Sequence, residues 1–125
     1  MHSSIHILVV EDEPFIAQMM ADMLGAEGYQ VDVAANGRVA LEKISGRDYD
    51  LILSDLRMPE FDGIRLYRTL ERLQPNLLRR FLVVSGTTHD VEFDRFLMDT
   101  AVPVLTKPFN LEDLQYLVRR LLTRH

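Results

Sequence analysis

The sequence predicts an α/β fold in which a parallel sheet of five strands lies between two layers of helices. Short apolar runs rich in β-branched residues alternate five times with segments whose apolar residues recur at helical spacing. Runs that are apolar throughout are typical of strands covered on both faces, and short connections between strand and helix imply right-handed crossovers. We therefore expect a doubly wound (βα)5 sheet of the flavodoxin-like kind, with strand order 2-1-3-4-5.

The strands are predicted where apolar runs lie between polar, turn-forming segments. The second run alternates polar and apolar residues, as in a strand at the edge of a sheet. Pro103 has no backbone N–H and therefore favours an edge position for the fifth strand as well. The predicted strands are Ile5–Val10, Gln30–Ala35, Tyr49–Ser54, Phe81–Val84 and Val102–Thr106.

The helices are predicted from apolar stripes and from the residues that begin or end them. Pro14 suits the first turn of the first helix, and Gly28 suits its end. Asn36-Gly37 turns the chain into the second helix, and Asn110 can cap the fifth. The apolar stripes of the second to fifth helices contain Val39, Leu41 and Ile44; Ile64, Leu66, Tyr67, Leu70 and Leu73; Phe93, Phe96 and Leu97; and Leu111, Leu114, Leu117, Val118, Leu121 and Leu122.

The composition indicates a single globular domain spanning residues 1–125, since a chain of this length with 47% apolar residues can bury one core. The formal charge of −5 argues against direct nucleic-acid binding, which needs a basic surface. The absence of cysteine excludes disulfides and thiolate metal sites. No apolar stretch is long enough for a membrane span, and the first four residues are too short for a signal peptide. We expect a soluble cytoplasmic domain without membrane contact.

Charged side chains stand at the ends of three predicted strands. Glu11 and Asp12 follow the first strand, Asp55 follows the third and Lys107 follows the fifth. Because the carboxyl ends of parallel strands share one edge of the sheet, these side chains are expected in the crevice outside it. Two carboxylates about 4 Å apart repel by about 4 kcal/mol at an effective dielectric of about 20. A divalent cation would remove that cost, and oxygen ligands without thiols favour Mg²⁺.

Each of these acids also has an ordinary structural interpretation. An aspartate at the end of a strand, such as Asp55, can cap a helix or form a turn. Adjacent acids such as Glu11 and Asp12 can form a solvated turn before a helix. Lys107 is more distinctive, because the chain contains twelve arginines and only two lysines. A lysine beside Pro108 therefore indicates a site that needs a compact ammonium rather than a guanidinium.

Four short motifs, in order and each at a strand end, resemble those of the receiver domain, the phosphoacceptor module of two-component response regulators. The resemblance covers nearly the whole chain. It is carried by Val9–Pro14, Ser54–Pro59 with Asp62-Gly63, Val83–Gly86 and Thr106–Phe109. It implies a signalling switch that accepts a phosphoryl group from a histidine kinase or a histidine phosphotransfer protein, whose only chemistry is self-phosphorylation and slow autodephosphorylation.

The resemblance also implies a set of site residues. Asp55 is expected to be the phosphoacceptor. Asp12, Asp55 and the backbone carbonyl of Arg57 are expected to ligate Mg²⁺, with Glu11 acting through a water. At the position of Glu11, many receivers carry aspartate. The glutamate side chain is one methylene longer and is therefore a mild departure from the family pattern. Lys107 is expected to pair with Asp55 and then with the phosphoryl group, after a cis peptide bond to Pro108.

The resemblance assigns the signal output to the loop that follows the fourth strand. Ser85 is expected to bond a phosphoryl oxygen and draw the loop from Gly86 to Asp90 inward. Many receivers carry an aromatic residue three positions before the lysine, and this chain has Val104 at that position. The familiar aromatic swing is therefore excluded in its usual form, and the signal is expected to leave through the loop and the fourth helix.

Two other classes of protein are weighed against this interpretation. An aspartyl phosphatase of the haloacid-dehalogenase type would carry a second aspartate at position 57, where this chain has Arg57, and would have a cap domain. A nucleotide-binding module would need a glycine-rich loop after the first strand, where Glu11, Asp12 and Glu13 would repel phosphate.

The segment from Asp94 to Phe109 resembles receivers fused to hybrid histidine kinases, and stand-alone receivers remain the competing context. A weak homodimer is a further expectation.

Overall fold

The computed structural model of the chain describes residues 4–58, 60–86 and 90–123. Within these residues one parallel sheet has the order β2-β1-β3-β4-β5, which confirms the predicted topology. Pro59 of the second motif and residues 87–89 of the loop after the fourth strand lie outside the described residues. The strands are β1 His6–Val10, β2 Gln30–Ala34, β3 Leu51–Asp55, β4 Phe81–Ser85 and β5 Val104–Thr106.

Five α-helices connect or follow these strands in the described part of the chain. Four of them begin at a side-chain cap, because Asn36, Asp62, Asp90 and Asn110 each accept a hydrogen bond from the backbone N–H three residues later. Asn110 was predicted as a cap, whereas Asn36 was predicted only as part of a turn. The helices are α1 Pro14–Gly25, α2 Gly37–Gly46, α3 Gly63–Leu73, α4 Val91–Thr100 and α5 Leu111–Leu122.

The ends of several elements differ from the prediction. α1 ends at Gly25, and Gly28 instead forms the turn beyond it with φ of +96°. β5 begins at Val104 rather than Val102, because Pro103 cannot donate to the ladder and only its carbonyl accepts, from Val83 N–H at 3.0 Å. The edge position of β5 is confirmed. A 3-10 helix at Pro75–Arg80, between α3 and β4, was not predicted.

The sheet is buried on both faces, and consecutive residues of each central strand contribute to opposite cores. In β1, Leu8 and Val10 pack with helices α2, α3 and α4, whereas Ile7 and Val9 pack with α1 and α5. This alternation follows from the two-residue period of a strand. The apolar runs of β1, β3 and β4 are thereby explained, since every residue of β3 and β4 is buried. No helix in the described ranges combines the length and apolar character needed to cross a bilayer.

Candidate functional site

The predicted site residues converge at the carboxyl edge of the sheet. Asp55 and Ser85 are the last residues of β3 and β4, one position beyond the predicted strand ends. Glu11 directly follows β1, where its N–H donates to the carbonyl of Ala34 at 2.9 Å. Lys107 directly follows β5, where its N–H donates to the carbonyl of Ser85 at 2.7 Å. The ladder hydrogen bonds of the sheet therefore fix the backbone on which each of these side chains stands.

Lys107 lies between two carboxylates. Its Nζ is 3.2 Å from Oδ2 of Asp55, as the sequence predicted, and 3.1 Å from Oε1 of Glu11, which the sequence did not. The side chains of Glu11 and Asp55 are 2% and 10% exposed. Their other oxygens accept from backbone N–H groups two residues on, Oε2 of Glu11 from Glu13 and Oδ1 of Asp55 from Arg57, both at 3.1 Å. Both carboxylates are thus held by a cation on one side and by backbone on the other.

The burial of this group changes its protonation equilibria. Burial raises the pKa of Glu11, and the charge of Asp55 raises it further, against the opposing effects of the Glu13 N–H and of Lys107. For Lys107, burial by itself lowers the pKa, but the charges of Asp55 and Glu11 together outweigh it, and the net pKa is raised. The ammonium is therefore protonated at neutral pH and supplies a fixed positive charge beside Asp55.

Glu11, Asp12 and Asp55 form an acidic cluster. Each offers one carboxylate oxygen, and these oxygens all lie within 4.8 Å of one another. Glu11 and Asp55 are buried, whereas Asp12 is half-buried. Hard oxygen donors at this spacing suit a divalent cation such as Mg²⁺, which takes one or two protein carboxylates and completes its octahedron with waters. The donor set therefore fits the metal that the sequence predicted.

A cavity of about 390 Å³ opens beside Asp55, and it is lined by Asp55, Arg57, Ser85, Gly86, Asp90 and Lys107. The buried Ser85 hydroxyl faces the loop, with Oγ 3.3 Å from the carbonyl oxygen of Gly86. In the lining of the same cavity, the guanidinium of Arg57 forms an ion pair with Oδ2 of Asp90. The sequence does not predict this pair, because nothing in its pattern connects two residues 33 positions apart.

Asp90 has a second role at this wall. Its Oδ1 accepts from the N–H of Phe93 at 2.8 Å and so caps α4, while its Oδ2 holds Arg57. The Phe93 N–H, followed by the Arg57 guanidinium, lowers the pKa of Asp90. An aspartate just before a helical stripe is an N-cap signal that the sequence does contain. One carboxylate therefore joins the first turn of α4 to the loop after β3.

Two glycines position the described residues of that loop, 56–58 and 60–62. A Cβ on Gly63 would lie 2.4 Å from the carbonyl oxygen of Asp55, so only glycine allows α3 to start so close to β3. A Cβ on Gly37 would lie 2.2 Å from the ring of Phe61, whose carbonyl accepts from Gly37 N–H at 3.0 Å. Asp62-Gly63 was predicted as a motif, and its close backbone approach is the physical reason for the glycine. The peptide bond between Lys107 and Pro108 is cis, as predicted.

The fold and the arrangement of acids, lysine and hydroxyl define the class of protein. The response regulator receiver domain matches residues 7–119, and the chain therefore belongs to that family. Members of this family are phosphoacceptor switches rather than classical enzymes, and they act with histidine kinases or phosphotransfer proteins. They bind Mg²⁺ through acidic residues, and the described part of this chain contains such an acidic cluster. The phosphatase alternative is not supported.

Individual relatives come from more than one context. The chain is 37% identical over 122 residues to the transcriptional regulatory protein TcrA of Mycobacterium tuberculosis, covering 98% of this chain and 47% of TcrA. It is 35% identical over 120 residues to the sensor kinase CckA of Brucella abortus, covering 94% of this chain and 12% of CckA. The chain thus spans about half the length of TcrA, and much less of CckA.

Solved structures show the same architecture. A CheY-like receiver domain from Methanospirillum hungatei superposes with a TM-score of 0.86 at 28% identity, covering 96% of this chain and 94% of that one. The receiver domain of a signal transduction histidine kinase from Syntrophus aciditrophicus gives a TM-score of 0.82 at 35% identity, covering 96% and 91%. The predicted fold class and the resemblance to receivers, including those of kinases, are therefore confirmed.

Proposed function

We propose that this chain forms one receiver domain over residues 1–125 and accepts a phosphoryl group on Asp55. The observation that carries the proposal is the position of Lys107, whose Nζ lies 3.2 Å from Oδ2 of the buried Asp55. A carboxylate that attacks a phosphoryl group must approach an anionic donor. A fixed ammonium beside the nucleophile offsets that repulsion and stabilises charge on the transferring oxygens.

The proposed step is an in-line transfer from a phosphohistidine. An oxygen of Asp55 forms a bond to phosphorus as the bond between phosphorus and the histidine nitrogen breaks, and the imidazole leaves with the electron pair. Asp12, Asp55 and the carbonyl of Arg57 would hold Mg²⁺, with Glu11 acting through a water, and the metal supplies charge neutralisation at the phosphoryl oxygens. The Arg57 N–H, 3.1 Å from Oδ1, orients the carboxylate for attack.

The proposed output runs through Ser85. Its hydroxyl lies in the same cavity as Asp55 and is 3.3 Å from the carbonyl of Gly86. On phosphorylation the hydroxyl would exchange this neighbour for a phosphoryl oxygen and draw the following loop toward Asp55. Val104 cannot replace an aromatic side chain in that movement, so the loop and α4 carry the change to the surface.

The proposed context is the bacterial cytoplasm, with a histidine kinase or a histidine phosphotransfer protein as the phosphoryl donor. The domain's own chemistry would be limited to self-phosphorylation and slow autodephosphorylation. It would not contact nucleic acid or membrane directly, in keeping with a net charge of −5. A weak homodimer and fusion to a larger kinase or regulator belong to the same proposal.

The experiment is phosphorylation by a small acyl phosphate in the presence of Mg²⁺, followed by intact-mass measurement. Wild type should gain one base-labile phosphoryl group, and Asp55→Asn should gain none. Asp48→Asn is a matched control, because Asp48 is an exposed aspartate in the loop before β3 and should leave labelling unchanged. Label that persists in Asp55→Asn, or that is found on a serine or histidine, would overturn the assignment.

A further inference from the structure

The side chain of Arg57 is committed to a partner at the wall of the cavity. Its guanidinium pairs with Oδ2 of Asp90, and both side chains are about half exposed, at 52% and 46%. The two residues line the cavity together with Asp55, Ser85 and Lys107. The pair therefore stands at the solvent side of the space that a phosphoryl group on Asp55 would occupy.

The backbone of Arg57 ties this side chain to the phosphoacceptor. Its N–H donates to Oδ1 of Asp55, so the residue that holds Asp90 also touches the carboxylate that would be modified. The loop that carries it is anchored at Gly63 and Gly37, where no Cβ could be accommodated without displacement. The origin of the Arg57 side chain is thus fixed, and its guanidinium is the part that remains free to change partner.

We propose that the Arg57 guanidinium exchanges Asp90 for the phosphoryl group when Asp55 is modified, which makes this side chain a second cationic ligand of the phosphoryl group beside Lys107. The inference rests on the proposed function of Asp55. It concerns the side chain of Arg57, whereas the metal proposal concerns only its backbone carbonyl.

The physical basis is competition between two anions for one guanidinium. Asp90 carries a single charge and is solvated, while a phosphoryl group carries a charge between −1.5 and about −2 and offers three acceptor oxygens in a bidentate geometry that suits arginine. The exposed pair with Asp90 is weak and easily broken. The phosphoryl group is therefore the stronger partner once it is present.

The exchange has a consequence for α4. Asp90 caps this helix through Oδ1 whether or not Oδ2 is occupied. When Arg57 leaves, the cap remains but the link between the first turn of α4 and the loop after β3 is lost. The start of α4 would then be free to move toward Asp55. This movement would carry the signal through α4, since Val104 stands in place of the aromatic residue that moves in many receivers.

The test is the dissociation constant of beryllofluoride, a phosphoryl mimic, measured at saturating Mg²⁺. Arg57→Gln should weaken binding by about twofold to fivefold, the range expected for one partly exposed ion pair. Asp90→Asn should tighten binding by a similar factor, because asparagine keeps the cap but no longer competes as an anion. Exchange predicts opposite signs for these two neighbouring variants, and simple charge repulsion predicts these same two signs.

The double variant separates exchange from simple repulsion between Asp90 and the mimic. In an Arg57→Gln background, Asp90→Asn should have no effect, since its benefit acts through the released guanidinium. Asp62→Asn is the matched control for the cap, because Asp62 caps α3 by accepting from Arg65 N–H and is not among the described residues that line the cavity. Arg72→Gln removes one positive charge near the end of α3 and controls for net charge.

Two results would overturn the inference. One is unchanged binding in Arg57→Gln, and the other is a tightening by Asp90→Asn that persists in the double variant, which would indicate repulsion alone. Failure of the proposed function is distinguishable, because wild type itself would then not bind beryllofluoride. Amide spectra of the Asp90→Asn protein without mimic should also shift in the first turn of α4 toward the positions of the bound wild type.

Discussion

Removing Asp12 is expected to stabilise the metal-free protein while abolishing its response to Mg²⁺. The oxygens of Glu11, Asp12 and Asp55 lie within 4.8 Å of one another, which at an effective dielectric of about 20 gives a repulsion of at least about 3.5 kcal/mol for each pair. Asp12 is half-buried and therefore closer to water, where each pair costs about 1 kcal/mol. Lys107 offsets part of this cost.

We therefore expect Asp12→Ala to raise the free energy of unfolding by about 1 kcal/mol in the presence of a chelator, or about 3–6 °C in Tm for a domain of this size. Added Mg²⁺ at about ten times its Kd should stabilise wild type by about 1.4 kcal/mol through mass action. It should leave the variant unchanged. High salt should reduce the difference in the free energy of unfolding between metal-free wild type and metal-free Asp12→Ala, because salt partly screens the repulsion.

The assay is chemical denaturation followed by far-ultraviolet circular dichroism, with and without Mg²⁺. Asp48→Ala provides the control, because Asp48 is exposed in the loop between α2 and β3 and outside the acidic cluster. It should change neither the metal-free stability nor the Mg²⁺ response. If Asp12→Ala is no more stable without metal, or if Mg²⁺ stabilises it as much as wild type, the three carboxylates do not form one metal site.

Three other outcomes are expected. Ser85→Ala should bind beryllofluoride yet lose most of the changes in amide spectra that binding causes in wild type from Gly86 through α4. Equal spectral changes in the two proteins would mean that the signal does not leave the site through Ser85. Gly63→Ala should cost about 2 kcal/mol or more in unfolding, because a Cβ would lie 2.4 Å from the carbonyl oxygen of Asp55, while Gly46→Ala, in open space, should be neutral or stabilising. Burial, reinforced by Asp32, raises the pKa of Tyr49 to about 12. The neutral phenol of Tyr49 therefore contributes to the free energy of unfolding below pH 10.0, and this contribution should disappear as the pH rises from 10.0 to about 12. An ultraviolet phenolate titration compared with Tyr49→Phe checks this, and a normal titration of Tyr49 would refute it.

The topology and the convergence of the site were predictable because they depend on backbone rules. Strands covered on both faces are recognisable as apolar runs, and short connections imply right-handed crossovers in a doubly wound sheet. The strand order was predicted as that of the flavodoxin-like arrangement. Once the strands are parallel, residues at the ends of β1, β3 and β5 must meet at one edge, as Glu11, Asp55 and Lys107 do. Their convergence could therefore be predicted from their positions relative to the strand ends, whereas their expected roles came from the resemblance to receiver domains.

The details that were missed depend on side-chain conformation and on loops. The contact between Lys107 and Glu11 spans 96 residues and is decided by where a flexible ammonium comes to rest between two carboxylates. The pair of Arg57 with Asp90 joins two loops whose separation no periodicity specifies. The 3-10 helix at Pro75–Arg80 has no apolar stripe of its own and contributes no buried residue, so no pattern in the sequence indicates it.

The site is built to be incompletely neutralised. The strands beneath the site contain buried apolar residues that stabilise the fold, and at the strand ends three carboxylates lie near one ammonium.

If the three carboxylates and the ammonium are all ionised, three negative charges and one positive charge leave a net charge of −2 at the site. A divalent cation would restore neutrality, and the cavity beside Asp55 would then suit an incoming phosphoryl group. In the proposed function, charge would therefore favour metal binding before phosphoryl transfer. Because the proposed transfer would add negative charge again, each cation within reach of Asp55 would gain a stronger partner. Lys107 is anchored to the sheet through its own backbone, whereas the side chain of Arg57 is linked to α4. In the proposed switch, the same electrostatic imbalance that lowers the stability of the resting protein would drive the conformational change.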